Sequence, residues 1–161
     1  FSFEKDPIFF LQNLLKFNNI NIHLVGDGIQ KTKLTNLSKD KKNIFFHGFV
    51  DNPLNRFKKK IDLLCITSKY EGTPNIMGEA MAYGIPVLAP KNVGLTKLFL
   101  KNGKYGFLYK NSDNNSFKNK VFEIINFYTS AKSKAKKGYF SMNRFNENKT
   151  LHKVLKEIKK L

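Results

Sequence analysis

The chain is poor in cysteine and in acidic residues, lacks tryptophan and holds no long apolar run. Its single cysteine, Cys65, lies in the apolar run IDLLCIT. A disulfide framework is therefore excluded, and we expect a buried thiol in a reducing compartment. No apolar stretch approaches the about 20 residues that cross a bilayer, and we expect no signal peptide. The expected location is the cytoplasm, with at most peripheral contact with the inner face of the cell membrane.

The shortage of acids leaves a strongly basic chain, with 29 Lys and Arg against 12 Asp and Glu and a formal net charge of +17. This charge has two interpretations. One is an anionic partner such as nucleic acid, phosphate or acidic lipid. The other is lysine-rich usage that decorates solvated faces, which the scatter of the lysines favours. Nucleic acid is not the expected partner, because no motif interleaves aromatic and basic residues.

The 161 residues, 41% of them hydrophobic, predict one folded domain. Apolar runs of strand length alternate with helix-like segments, which predicts a doubly wound α/β fold with a parallel sheet. Asp6 and Pro7 fit the cap and first position of a helix, and the pattern after Asp113 is helical to the end. We assign residues 1–130 to a Rossmann-like domain and residues 131–161 to a C-terminal helical tail. The predicted strands lie in NIHLVGDG, which runs into a glycine turn, and in NIFFHG, DLLCITS, PVLA and YGFLYK.

Three polar stretches follow the first three predicted strands. They are GDG, HGFVDN and SKYEGTPN. Ligands of doubly wound sheets bind beyond the carboxyl ends of the strands. We therefore expect the functional site at this edge.

The third of these stretches leads into a predicted helix from about Pro74 to Tyr83. Thr73 fits its N-cap and Pro74 its first position. The backbone N–H groups of Asn75 and Ile76 would then point out of the helix start, where they favour an anion.

Two carboxylates flank that helix start. Glu71 lies on the preceding loop, and Glu79 lies about a turn and a half into the helix, on the face of Ile76 and Tyr83. Carboxylates accept hydrogen bonds from sugar hydroxyls, while backbone amides and lysines offset phosphate charge. A nucleotide sugar combines both kinds of group. The alternative is a capped surface helix on which Glu79 is merely solvated.

The span from Lys5 to about Asp113 resembles the nucleotide-binding C-terminal domain of retaining glycosyltransferases of the GT-B group, glycosyltransferase family 4 (group 1). This group includes bacterial capsule and lipopolysaccharide enzymes. The element with two glutamates seven residues apart and its continuation EAMAYGIPV is specific to it. The matching pieces are EKDP, LVGDG, FFHGFVDN, IDLLCITSKYEGTPNIMGEAMAYGIPVLAP and KNGKYGFLY.

The resemblance implies roles for the residues around the helix start. Glu71 is expected beside the donor sugar and the reaction centre as the catalytic residue, and Glu79 is expected to bind the ribose hydroxyls. The backbone of residues 73–76 would contact the sugar and the diphosphate. Lys5 would neutralise the diphosphate. The alternative interpretation is that Lys5 is a solvated lysine beside a helix start.

The resemblance also places two loops near the donor. Phe49, Val50 and Asn52 would border the nucleobase, largely through main chain. Gly26 and Gly28 resemble the glycine turn that closes the first strand in the family. Their role is either structural, in forming the turn, or direct contact with the ligand.

The chain also departs from the family pattern. The arginine that usually precedes the motif lysine, and the strand that carries it, are not in this sequence. After the PVLA strand the family usually has a pair of glycines followed by a glutamate. In this chain only Gly94 of the pair is present, and Lys97 replaces the glutamate. His47 ends an apolar strand, and we interpret it as structural, with no metal ligands expected around it.

The function implied by the resemblance is transfer of a sugar from a nucleoside-diphosphate sugar to a glycan or lipid-linked acceptor, without a metal or other cofactor. The acceptor would bind an N-terminal domain that this chain does not contain, so we expect the isolated domain to be inactive. The final helix, residues 150–161, would cross towards that domain or pack on its own sheet. One alternative is a non-catalytic nucleotide-sugar-binding subunit or a remnant of a split glycosyltransferase. Another, suggested by the charge, is a binder of nucleic acid or anionic membrane.

Overall fold

A computed structural model of the chain describes residues 1–72 and 74–142. Within these residues, short parallel strands alternate with helices, which confirms the predicted α/β architecture. The strands are β1 (Ile22–Leu24), β2 (Ile44–Phe46), β3 (Leu64–Cys65), β4 (Val87–Pro90) and β5 (Phe107–Tyr109). The helices are α1 (Pro7–Leu14), α2 (Lys31–Leu37), α3 (Pro53–Phe57), α4 (Asn75–Ala82), α5 (Thr96–Phe99), α6 (Asn114–Asn126) and α7 (Tyr128–Met142). A short 3₁₀ turn covers Lys101–Gly103.

The strands form two parallel sheets rather than one. β1 pairs with β2, with Ile22 opposite Ile44. β4 lies between β3 and β5, with Leu88 opposite both Cys65 and Phe107. Each pair is parallel, so the carboxyl ends of the strands within a sheet lie at the same edge.

Helices cover both faces of the three-stranded sheet. Successive side chains of a strand point to opposite faces. In the buried strand β4, Leu88 packs into a core cluster that includes Phe117 of α6, whereas Val87 and Ala89 pack with Met77 of α4. The sheet is therefore sandwiched between helical layers, as the doubly wound prediction requires.

Two aspartates fix the starts of helices on the same face. The Asp6 carboxylate accepts a hydrogen bond of 3.3 Å from the Phe9 amide, and Pro7 occupies the first position of α1. Asp113 likewise accepts a hydrogen bond of 2.9 Å from the Ser116 amide at the start of α6. Both starts agree with the sequence analysis.

Helix α4 begins one residue later than predicted. Pro74 is its N-cap rather than its first helical residue, with a non-helical ψ of 87°. The predicted cap, Thr73, lies outside the described residues. The amides of Asn75 and Ile76 remain in the first turn, before any residue that has an acceptor four positions back inside the helix.

The predicted helix through Tyr128 is interrupted at Phe127, whose φ of −120° and ψ of 47° are not helical. Helix α7 then runs from Tyr128 to Met142 and packs on α4. The division at residue 130 falls inside α7. Residues 143–161, with the final predicted helix, lie outside the described part of the chain, so that division stays a prediction.

Two further expectations concern exposure. Cys65 as a whole residue is partly exposed in β3, but it packs against the first core cluster and burial raises the pKa of its thiol to about 12, as expected of a buried thiol. Among residues 1–72 and 74–142, no helix is long and apolar enough to cross a membrane.

Candidate functional site

The Glu71 carboxylate is the centre of a small polar cluster at the carboxyl end of β3. Lys5 Nζ lies 2.5 Å from Glu71 Oε1, and the Ser68 hydroxyl donates a hydrogen bond of 2.8 Å to the same oxygen. Glu71 is only 14% exposed and Ser68 is buried, whereas Lys5 is 60% exposed. Among the described residues, both donors to the Glu71 carboxylate reach Oε1.

The segment before α1 is tied to the loop after β3, which brings Lys5 to Glu71. The Lys69 amide donates to the Glu4 carbonyl at 2.7 Å, and the Thr67 hydroxyl donates to the Lys5 carbonyl at 3.0 Å. Lys69 Nζ also lies 3.1 Å from the Asp6 carboxylate. Backbone contacts therefore place Lys5, and its ion pair with Glu71 is not an isolated surface contact.

Glu79 lies on the exposed face of α4, together with the partly exposed Ile76 and Tyr83. This is the face predicted from the helical spacing. Along the chain, Glu71 precedes and Glu79 follows the helix start that carries the Asn75 and Ile76 amides. The arrangement combines carboxylate acceptors with N–H donors, as a ligand with hydroxyl and anionic groups requires.

Gly94 contacts the loop that carries Glu71. Its φ is +50°, and a Cβ at this position would overlap the carbonyl oxygens of Glu71 and Gly72. The next amide, that of Leu95, donates to the Gly72 carbonyl at 3.2 Å. The glycine is thus required by the close approach of two backbones, and its contact with a donor stays a prediction.

The loops after β1 and β2 are joined by backbone. The Gly26 amide donates to the Gly48 carbonyl at 2.6 Å, and Gly26, Gly28 and Gly48 all have positive φ. Glycine adopts such backbone without strain. The structure therefore places two of the three predicted loops side by side.

The residues expected to border a nucleobase lie just beyond this junction. Phe49 is 85% exposed and Val50 is half-buried. Asn52 is the N-cap of α3 in the left-handed region, with φ of 46°, and its side chain caps no amide of the helix. An exposed aromatic ring on a fixed loop is a surface on which a planar base can stack.

His47 is paired with another histidine. Its Nε2 lies 2.9 Å from His23 Nδ1, and its ring packs against Phe57 with centroids 4.7 Å apart. Partial burial, the neighbouring His47 and the charge of Lys60 lower the pKa of His23, in that order of importance. These contacts agree with a structural role for His47.

Ser68 is the site residue that the sequence analysis missed. It precedes Glu71 by three positions, a spacing that a turn can close, but serines are common in loops and nothing in the run SKYE marks this one. Only the fold shows that its hydroxyl is buried and directed at the carboxylate.

A comparison with protein families matches residues 4–126 to the family described as Glycosyl transferases group 1. The match covers most of the chain and includes every residue of the cluster around Glu71. The chain belongs to this family. Poly(ribitol-phosphate) alpha-N-acetylglucosaminyltransferase of Staphylococcus aureus (strain COL) is 30% identical over 114 residues, which are 69% of this chain and 23% of that protein.

Two further proteins, one similar in sequence and one similar in structure, resemble this group 1 glycosyltransferase chain. Lipopolysaccharide 1,6-galactosyltransferase of Salmonella typhimurium (strain LT2) is 30% identical over 94 residues, which are 55% of this chain and 26% of that protein. HepE of Anabaena, crystallised with UDP, matches 99% of this chain and 46% of its own with a TM-score of 0.85 and 20% identity. The last similarity concerns the fold alone. The chain spans about a quarter of the length of the two curated relatives.

Proposed function

We propose that this chain is the nucleotide-sugar-binding, C-terminal half of a retaining glycosyltransferase with the GT-B arrangement. The complete enzyme would transfer a sugar from a nucleoside diphosphate to a glycan or lipid-linked acceptor in polysaccharide, capsule or lipopolysaccharide biosynthesis. The observation that carries the proposal is the cluster of Lys5, Ser68 and Glu71 beside the start of α4. The two bacterial transferases that resemble the chain support the class of reaction.

In this proposal the diphosphate binds between Lys5 and the start of α4. The Lys5 ammonium is mostly exposed and the Asn75 and Ile76 amides are in the first helical turn, so donors from two elements would be offered to one anion. The backbone of Thr73 and Pro74 would line this position. Gly94 would support the loop that carries Glu71, because its backbone packs closely against the carbonyl groups of that loop. Glu79, exposed on α4, would accept hydrogen bonds from the ribose hydroxyls.

Glu71 would face the sugar with Oε2. Its other oxygen, Oε1, is held by Lys5 and Ser68, so the side chain has a fixed orientation before the donor arrives. Such preorganisation lets a carboxylate stabilise the positive charge that develops on the sugar ring as the bond to the diphosphate breaks. Lys5 and the helix-start amides would stabilise the leaving diphosphate, so the step needs no metal in this proposal.

The base would lie on the joined loops after β1 and β2, near Gly26, Gly28, Phe49, Val50 and Asn52. The hydrogen bond between these loops and the 85% exposure of the Phe49 ring support that position. The acceptor would bind an N-terminal domain. We expect a cytoplasmic enzyme in peripheral contact with anionic membrane, to which the net charge of +17 is attracted.

A second candidate is a nucleotide-sugar-binding subunit, or a remnant of a split enzyme, without catalysis of its own. One departure in the sequence favours it: Lys97 stands where the family usually has an acid. The donor site would be the same. Restoration of sugar transfer by a cognate acceptor-binding domain would establish a split enzyme, and its failure alongside intact donor binding would favour the binding subunit.

The test of donor binding is calorimetric titration of the chain with UDP, GDP, ADP and their common sugar conjugates. We expect saturable binding of one nucleotide series, lost in Glu79→Ala and kept in the control Glu123→Ala, which removes a partly exposed carboxylate of α6. Equal binding of all nucleotides that disappears with added salt would mean that scattered lysines attract phosphate without a site, and would contradict the proposal.

A further inference from the structure

An open cavity of about 190 Å³ lies beyond the carboxyl ends of β3, β4 and β5, on the side of α1. Of the described residues placed in the donor site, Ser68 alone lines it. In doubly wound sheets, this edge is where ligands bind. The cavity is too small for a nucleotide sugar, because pockets for drug-sized ligands start at about 300 Å³. Its size suits a single small ring.

One wall of the cavity is aromatic. The rings of Phe9 and Tyr109 stack with centroids 6.1 Å apart and an angle of 15° between their planes. Tyr109 is buried, and its hydroxyl donates to the Ile66 carbonyl at 3.2 Å. Burial raises the pKa of Tyr109, so the ring stays a neutral phenol. Because Tyr109 is buried, the half-buried Phe9 supplies the apolar surface for the C–H face of a ring.

The rest of the wall carries polar residues of several kinds. Ser68, Ser112 and Asn111 line it, together with the Asp6–Lys69 ion pair at 3.1 Å, and Asn111 Oδ1 already accepts a hydrogen bond of 3.1 Å from the Asn92 amide. These groups include both donors and acceptors at short spacing, as a ligand with several hydroxyls requires.

The charge of the lining argues against an anionic ligand. The carboxylate of Asp6 and the ammonium of Lys69 neutralise each other, although the chain as a whole carries +17. The starts of α1 and α6 adjoin the cavity, but Asp6 and Asp113 already cap them with their own carboxylates. A phosphate would have to compete with both caps.

We propose that this cavity binds one neutral, polyhydroxylated ring, that is, a single sugar unit. The apolar wall would take the face of the ring, and the polar wall its hydroxyls. The site is separate from the proposed donor site and does not depend on it. The two adjoin through Ser68, which lines the cavity and whose hydroxyl donates to Glu71. The sugar is either free or the end of a glycan.

Protein-observed NMR of the chain tests this proposal. The probes are glucose, galactose and N-acetylglucosamine, their methyl glycosides, and inorganic phosphate as the anionic comparator. We expect one of the sugars to cause saturable shifts of the amides of residues 67–70 and 111–112, with or without a saturating nucleotide. If a methyl glycoside binds better than its free sugar, the ligand of the cavity is the end of a glycan. If the free sugar binds better, the ligand is a free sugar.

Three variants make the test specific. Ser112→Ala should weaken sugar binding about tenfold, the effect of one lost hydrogen bond. Tyr70→Ala, at a 75% exposed cavity residue, should also weaken it without disturbing the fold, and Asn55→Ala on α3 is the control that should not.

Several outcomes would overturn the proposal: no saturable shift with any sugar, shifts that map away from the cavity, preference for phosphate, or equal binding by all three variants. Nucleotide binding is measured on the same samples. A chain that binds nucleotide but no sugar would contradict only this proposal, and a chain that binds sugar but no nucleotide would contradict only the proposed donor site.

Discussion

At the scale of single residues, the orientation of Glu71 depends on two donors that share Oε1, Lys5 Nζ and the Ser68 hydroxyl. The sequence indicated Glu71 and Lys5 through their motif, but nothing in it could show that they are in contact 66 positions apart. Ser68 was not predicted, because a loop serine has no pattern that distinguishes a buried donor from a solvated one. Side-chain contacts of this kind depend on the fold.

The variant Lys5→Ala should weaken nucleotide binding while leaving the stability of the fold almost unchanged. We expect nucleotide affinity to fall about 10- to 100-fold, because a charged donor to phosphate is lost. The free energy of unfolding should change by less than about 1 kcal/mol, since Lys5 is mostly exposed. Calorimetry and denaturant unfolding measure the two quantities.

Lys120→Ala is the matched control, because Lys120 forms a comparable ion pair with Glu123 at 2.6 Å on α6. It should have a similarly small effect on stability and none on nucleotide affinity. Equal loss of affinity in both variants would show that Lys5 acts only through net charge.

The His23–His47 pair should make stability depend on pH. Because the folded-state pKa of His23 lies below its ordinary 6.5, the unfolded chain binds the proton more readily. The stabilisation is therefore present above the unfolded pKa and is lost as the pH falls below it. Melting temperatures between about pH 7.5 and pH 5.5 should fall less in His23→Gln than in the parent. Parallel curves would contradict this assignment.

At the scale of elements, the existence and type of the strands and helices could be predicted from apolar periodicity and capping residues, but some of their ends could not. The helical pattern continues through Phe127 and Tyr128, whereas the structure breaks there. The Tyr128 hydroxyl donates to the Asp62 carboxylate at 2.9 Å, a contact between distant segments that local pattern cannot reveal.

Gly94→Ala should damage the loop that carries Glu71. Gly84 is the matched control, because it also has positive φ, +67°, but has open space where a Cβ would lie. Gly84→Ala should cost about 1 kcal/mol from backbone strain. Gly94→Ala should cost about 1 to 3 kcal/mol more, the usual effect of overpacking, and should weaken nucleotide binding. Equal losses of unfolding free energy would mean that the backbone contact with Glu71 and Gly72 is unimportant.

Gly78→Ala should stabilise α4. A Cβ there would make ordinary contacts with Met142 and Phe99, at 3.5 and 3.6 Å. Alanine also removes the conformational entropy cost of a glycine inside a helix, so a gain of up to about 1 kcal/mol is expected. Thermal unfolding measures it. Gly138→Ala in α7, where a Cβ would lie 3.3 Å from the Tyr105 carbonyl oxygen, should show no such gain.

At the scale of the whole molecule, the net charge of +17 says less about function than the position of a few groups. Three of the paired lysines contribute to different surfaces: Lys5 to the cluster around Glu71, Lys69 to the cavity by Asp6, and Lys120 to a side of α6. Family and fold class followed from the ordered motifs, because those motifs fix where strands end and loops begin. The cavity had no signal in the sequence, since its walls come from three strands and a helix far apart along the chain.

The most direct test of the account is a crystal structure of the chain with the nucleotide diphosphate that calorimetry selects. The account predicts phosphate oxygens within hydrogen-bond distance of Lys5 Nζ and the Asn75 and Ile76 amides, with the ribose hydroxyls at Glu79. A nucleotide bound elsewhere, with the Lys5–Glu71 cluster and the start of α4 left empty, would contradict it.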